Sequence, residues 1–99
     1  LWVAIDPKAM RGDPAYDLWP LLEQVGDPWR TVDPEATLRV RTSLLAGRAD
    51  VRPADVAAWA LARTVEQALW SWSATGDVRA LRRGGTRARV WAAVRDRLA

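Results

Sequence analysis

Proline placement constrains this chain more than any other feature. All six prolines fall within the first 53 residues, and four of them follow an aspartate: Asp6-Pro7, Asp13-Pro14, Asp27-Pro28 and Asp33-Pro34. Proline has no backbone N–H to donate, so it stops a strand or occupies the first position of a helix. An aspartate just before it can accept from the free N–H groups of that first turn. The chain is thus cut into short segments as far as Pro53 and is free to build long regular structure beyond it.

Leu1-Trp2-Val3-Ala4-Ile5 is an apolar run that reads as a strand stopped at Pro7, which puts Asp6 at the strand's C-terminal end. A loop through Lys8, Met10, Arg11 and Gly12 leads to a helix starting at Pro14. Its apolar positions are Tyr16, Leu18, Trp19, Leu21 and Leu22; it is kinked at Pro20 and closed by Gly26-Asp27-Pro28. The spacing of Leu38, Val40, Leu44 and Leu45 predicts a second helix over about 34 to 46, ending at Gly47.

From Asp50 to Pro53 the longest periodic segment opens and runs toward Gly76. On a helix, Leu61, Val65, Ala68, Leu69 and Trp72 fall on one side. Val56, Trp59 and Trp70 fall nearly opposite, with Arg63 and Glu66 among them. Such a helix belongs between two layers, so Trp59 and Trp70 are expected to pack on the helix at 34 to 46, the alternative being an exposed partner surface. Gly84-Gly85 then reads as a flexible break and Thr86 as the cap of a terminal helix, whose inner face is Val90, Trp91, Val94 and Leu98.

Charge is unevenly distributed. Residues 79 to 99 hold seven arginines against Asp96, a local +6 in a chain whose formal charge is +3. A basic tail can contact nucleic acid, but arginine enrichment also follows from high-GC codon usage, and a solvated helix face is the expectation; nucleic acid is not the expected partner. With no cysteine and no histidine, thiolate metal sites, disulfides and the commonest general base are excluded. No stretch reaches the length of a membrane span, so a cytoplasmic protein is expected.

Chemistry concentrates near the start. Asp6, Asp13 and Asp17 gather three carboxylates around one strand end and one helix start. A carboxylate on a rigid strand end, open on its other side to phosphate and water, suits a divalent metal, and Asp6 is the candidate. Asp13 before Pro14 has helix capping as its ordinary role, Asp17 a structural hydrogen bond, and Lys8 either neutralises phosphate or is solvated.

The runs Trp2-Val3-Ala4-Ile5-Asp6-Pro7-Lys8 and Gly12-Asp13-Pro14-Ala15-Tyr16-Asp17-Leu18 resemble the aminoglycoside and hydroxyurea phosphotransferases, the branch that includes the streptomycin kinases. Trp59-Ala60-Leu61-Ala62-Arg63 and Ala68-Leu69-Trp70-Ser71 are similar to that family's C-terminal helical region. The resemblance implies that Asp6 is the Mg²⁺ ligand that meets the ATP phosphates, with Asp13 and Asp17 bracing the active-site loop. It implies transfer of the γ-phosphoryl group to a hydroxyl of a small antibiotic-like acceptor. Such transfer also needs a nucleotide-holding lysine, a catalytic-loop aspartate and a second metal ligand, none of which is assignable here.

The family's catalytic loop precedes the strand bearing Asp6, so these residues are expected to work with the rest of the same enzyme and to be inactive alone. The fold expected for residues 1–99 is therefore mainly α, the C-terminal helical subdomain of a protein-kinase-like α+β fold, with one short N-terminal strand and a divergent basic tail over 79–99. The competing expectation is a small basic helical module that binds nucleic acid or a protein partner.

Overall fold

The computed structural model describes residues 20–24 and 26–99. The expected strand over residues 1–5 and the helix start at Pro14 lie outside the described residues, which contain helices and turns and no strand. Residues 20–24 are helical, with Leu22 fully buried. The left-handed Gly26 (φ +46°) then turns the chain into a short 3₁₀ turn, Pro28–Arg30, where Asp27 accepts from the backbone N–H of Trp29 at 3.0 Å.

Helix α1 spans Pro34–Ala49 and starts as the Asp-Pro signal requires: Asp33 accepts from the Ala36 N–H at 3.1 Å and Pro34 fills the first helical position. It does not end at Gly47. The helix continues to Ala49, and Asp50 adopts the left-handed conformation (φ +57°). The Val51 N–H then bonds the Ala46 carbonyl at 3.0 Å and the Asp50 N–H bonds that of Gly47 at 3.4 Å. That pair of bonds is a Schellman motif, and aspartate tolerates the left-handed well better than most side chains. Gly47 is simply a residue of the last turns.

Helix α2 spans Pro53–Thr75, with Pro53 at its start and the left-handed Gly76 (φ +68°) as its cap. Asp77 accepts from the N–H groups of Arg79 at 2.9 Å and Ala80 at 3.3 Å, so a two-residue link launches helix α3, Val78–Leu98. The expected break at Gly84-Gly85 is absent, and Thr86 caps nothing: its hydroxyl donates to the Arg82 carbonyl inside the continuous helix. The reason lies across the interface. A Cβ added at Gly84 would stand 2.3 Å from the Ala68 Cβ, so this glycine serves close approach of α3 to α2 rather than flexibility.

The core comprises Leu22, Leu38, Ala46, Val56, Ala57, Ala60, Trp91 and Val94. On the terminal helix the sequence pattern holds: Trp91 and Val94 are buried, Val90 and Leu98 pack partly against the cluster, and Arg79, Arg82, Arg83 and Arg89 are exposed. On α1 it holds only in part, because Leu38, Thr42 and Ala46 face inward while Val40 and Leu44 stand in solvent. On α2 the buried row is Val56, Ala57, Ala60, Thr64 and Ala68. Val56 and Ala68, one from each expected row, lie in this narrow stripe and the larger residues of both rows flank it instead of facing two layers, since successive residues turn by about 100°. Trp70 is accordingly 71% exposed and Trp59 38%, so the expected packing of Trp70 on α1 does not occur. No described helix is long and apolar enough to cross a membrane.

Candidate functional site

Asp6, Lys8, Asp13 and Asp17 all lie outside the described residues. What the structure does describe is the helical body that follows them in the chain. Leu22 is buried in the core, and the guanidinium of Arg41 on α1 donates to the Leu22 carbonyl at 3.1 Å and the Gly26 carbonyl at 2.8 Å. These are orphan acceptors at a helix end, satisfied by a planar two-pronged donor.

Beside them Glu23 is held by two indoles. Its Oε1 accepts from Trp29 Nε1 at 2.8 Å, and its Oε2 accepts from Trp91 Nε1 at 3.3 Å. Hydrogen bonds to an ionised acceptor are stronger than neutral ones, which suits an anchor between elements 68 residues apart. Arg87 stacks over the Trp29 ring at 5.0 Å from its centroid and closes the assembly from the α3 side. Further along, Arg97 pairs with Glu35, which Arg39 also approaches, at 3.9 Å.

Sequence patterning did not single out Glu23, Trp29 or Arg41. Their partners are remote in sequence or on another element, and no periodicity or spacing signals them. Among the described residues no group of three acidic, histidine or cysteine side chains is placed to hold a metal.

Concave surfaces also lie along the helices. One, of about 370 Å³, is lined by Leu21, Leu44 and Leu45 between Arg41 and Arg48. Another, of about 450 Å³, runs along α2 and is lined by Arg63, Glu66, Gln67, Trp70 and Ser71, with Arg63 and Glu66 forming an ion pair. Its lining combines an aromatic plane, the Arg63–Glu66 ion pair, an amide and a hydroxyl.

No family model and no solved structure matches the chain. Among curated proteins it is 36% identical over 73 residues to the streptomycin 6-kinase of Streptomyces griseus and 37% identical over 70 residues to that of Streptomyces glaucescens. Each match covers 70% of this chain and 23% of the relative, so the chain spans less than a quarter of the length of the curated relatives it matches. With that identity over most of its length, the chain belongs to the streptomycin kinase-like aminoglycoside phosphotransferase family.

Proposed function

We propose that the protein containing this chain transfers the γ-phosphoryl group of ATP to a hydroxyl of an aminoglycoside of the streptomycin type. In this reading the chain supplies the C-terminal helical part of a kinase-like lobe. The observation that carries it is the 36 to 37% identity to two streptomycin 6-kinases. In this reading the nucleotide-holding lysine and the catalytic base that such a transfer needs are supplied by other residues of the same enzyme.

Within these residues the proposed division of labour follows their chemistry. Asp6 offers a hard carboxylate oxygen, the donor type Mg²⁺ takes, and would hold the ion that offsets phosphate charge when bound. Lys8 adds a mobile cation for phosphate oxygens. Asp13 and Asp17 would serve as acceptors that brace the active-site loop, as the family resemblance implies. The Arg41 fork and the Glu23 anchor tie Leu22, Glu23 and Gly26 to α1, the 3₁₀ turn and α3. With ATP as the donor, the cytoplasm is the compartment this reading proposes for the reaction.

The test is Mg²⁺-ATP turnover of streptomycin by the full-length protein beside Asp6→Asn. A loss of kcat of about a hundredfold or more is expected when one charge-stabilising group of the transfer is removed. Unchanged turnover in the variant would refute the metal role, and a full-length protein that neither binds nor hydrolyses ATP would refute the phosphotransferase reading.

A further inference from the structure

We infer that the outer face of the α2–α3 hairpin is an interface between two copies of this protein, which pair through it as a four-helix bundle. The inference goes beyond the proposed reaction and does not rest on it. Its starting point is a feature of α2 that the fold accounts for only in part. The helix is apolar on two sides, and its buried row of Val56, Ala57, Ala60, Thr64 and Ala68 answers for one of them.

The other side has the spacing of a bundle seam. On α2, Ala54, Ala58, Leu61, Val65, Ala68 and Trp72 recur at alternating steps of four and three residues, and on α3 Val78, Leu81, Gly85, Ala88 and Ala92 do the same. That rhythm keeps an apolar row facing a neighbouring helix over several turns. Ala68, set against Gly84, belongs to both rows; every other member of the seam is at least partly exposed. Val65, Trp72 and Val78, with Leu69 beside them, stay 41 to 52% exposed. Between the helices lies an apolar depression of about 100 Å³, lined by Val65, Leu69, Leu81, Gly85 and Ala88 among others. A Cβ at Gly85 would meet no heavy atom within 4 Å, so the depression is a hole open to a side chain from outside.

Charge along the two edges of this face selects a second copy as the occupant. With about 100° between successive residues, Glu66 falls on the α2 edge and Arg82 and Arg89 on the α3 edge, and all three are exposed. The two-residue link makes the helices antiparallel, and Gly84 lies against Ala68, so Glu66 is level with the stretch between Arg82 and Arg89. A two-fold axis along the hairpin lays α2 of each copy on α3 of the other. Glu66 of each then stands between Arg82 and Arg89 of the other, whereas α2 on α2 would set arginine edge against arginine edge. Arg63 already pairs with Glu66, but that side chain is 65% exposed and a carboxylate accepts more than one donor. Asp96, at the far end of the α3 edge, is engaged by Arg95.

The experiment is sedimentation equilibrium of the full-length protein without ATP or acceptor, so its outcome is independent of the phosphotransferase reading. Wild type is expected to be a dimer at about 10 µM. Leu69→Glu should raise the dimer Kd about tenfold or more with helical content by circular dichroism unchanged, because this leucine is half exposed within one copy. Arg89→Glu should raise it about three- to tenfold, and adding Glu66→Arg should return it to within about twofold of wild type. Should Leu69→Glu fail to fold, the charge reversal and its restoration decide alone. A wild-type protein that stays monomeric at about 100 µM overturns the inference, as the face is then covered within one molecule or left in solvent. A dimer that neither single variant weakens, or one that Glu66→Arg does not restore, overturns it as well.

Discussion

The two halves of α3 hold the molecule together in opposite ways. Its first half meets α2 through small residues: Gly84 faces Ala68 so closely that a methyl group would collide, and Leu81, Gly85 and Ala88 sit alongside. Its second half inserts large ones, with Trp91 and Val94 fully buried and the Trp91 indole bonded to Glu23. The first interface gains from proximity, where dispersion contacts accumulate because the backbones approach. The second gains from the area it removes from water and from a polar tie across the fold. A seam of small residues should fail when atoms are added, and an anchored aromatic should fail when atoms are removed.

The largest test of that contrast removes atoms from the second half. Trp91→Ala should cost about 3 to 5 kcal/mol in a denaturant titration, the range for deleting a buried aromatic. Trp91→Phe should recover much of it but leave Glu23 without one donor, at a residual cost of about 1 to 3 kcal/mol. If alanine and phenylalanine behave alike, the hydrogen bond rather than the buried ring dominates this half of the helix.

Adding atoms to the first half comes next, through adjacent glycines that differ only in what they face. Gly84→Ala should destabilise by about 1 to 3 kcal/mol, because overpacking outweighs the gain in helix propensity. Gly85→Ala has no heavy atom within 4 Å of its new methyl and should stabilise by about 0.5 to 1 kcal/mol. Opposite signs at neighbouring positions would show that the seam is set by close approach. Equal signs would remove the distinction.

The smallest effect belongs to the charged edge of the second half. Arg97→Ala removes the pair with Glu35, but the arginine side chain is 61% exposed, and screening limits the loss to about 1 kcal/mol or less. That loss should vanish in about 1 M salt, where the Debye length is near 3 Å. A salt-insensitive cost would mean that the arginine stem, not its charge, covers the core.

Much of the helical framework was legible from residue types alone. Asp33-Pro34, Pro53 and Gly76 mark real helix boundaries, and Trp91 and Val94 face inward as their spacing required. Three positions were not legible, and each for a physical reason. Gly47 carries the usual stop signal, but the left-handed turn falls on Asp50 because the Schellman bonds close there. Gly84-Gly85 looks like a break in one dimension and is a contact in three. Val40 and Leu44 satisfy a periodic apolar pattern yet remain exposed, while the smaller Thr42 and Ala46 take the core positions.

For the site, the motif around Asp6, Lys8, Asp13 and Asp17 and the presence of Trp59, Arg63, Glu66 and Trp70 on one side of a helix were visible in the sequence. Whether that side would be buried was not. Sequence by itself determined where α1 and α2 start and which family the chain joins, because caps, prolines and motif residues act within a few positions of one another. Only the tertiary structure decided that small residues would form the seam, that Glu23 would receive the Trp91 indole and that Trp70 would stand open beside a groove. Those outcomes depend on how closely two helices approach, and that distance is settled by side-chain volumes far apart in the chain.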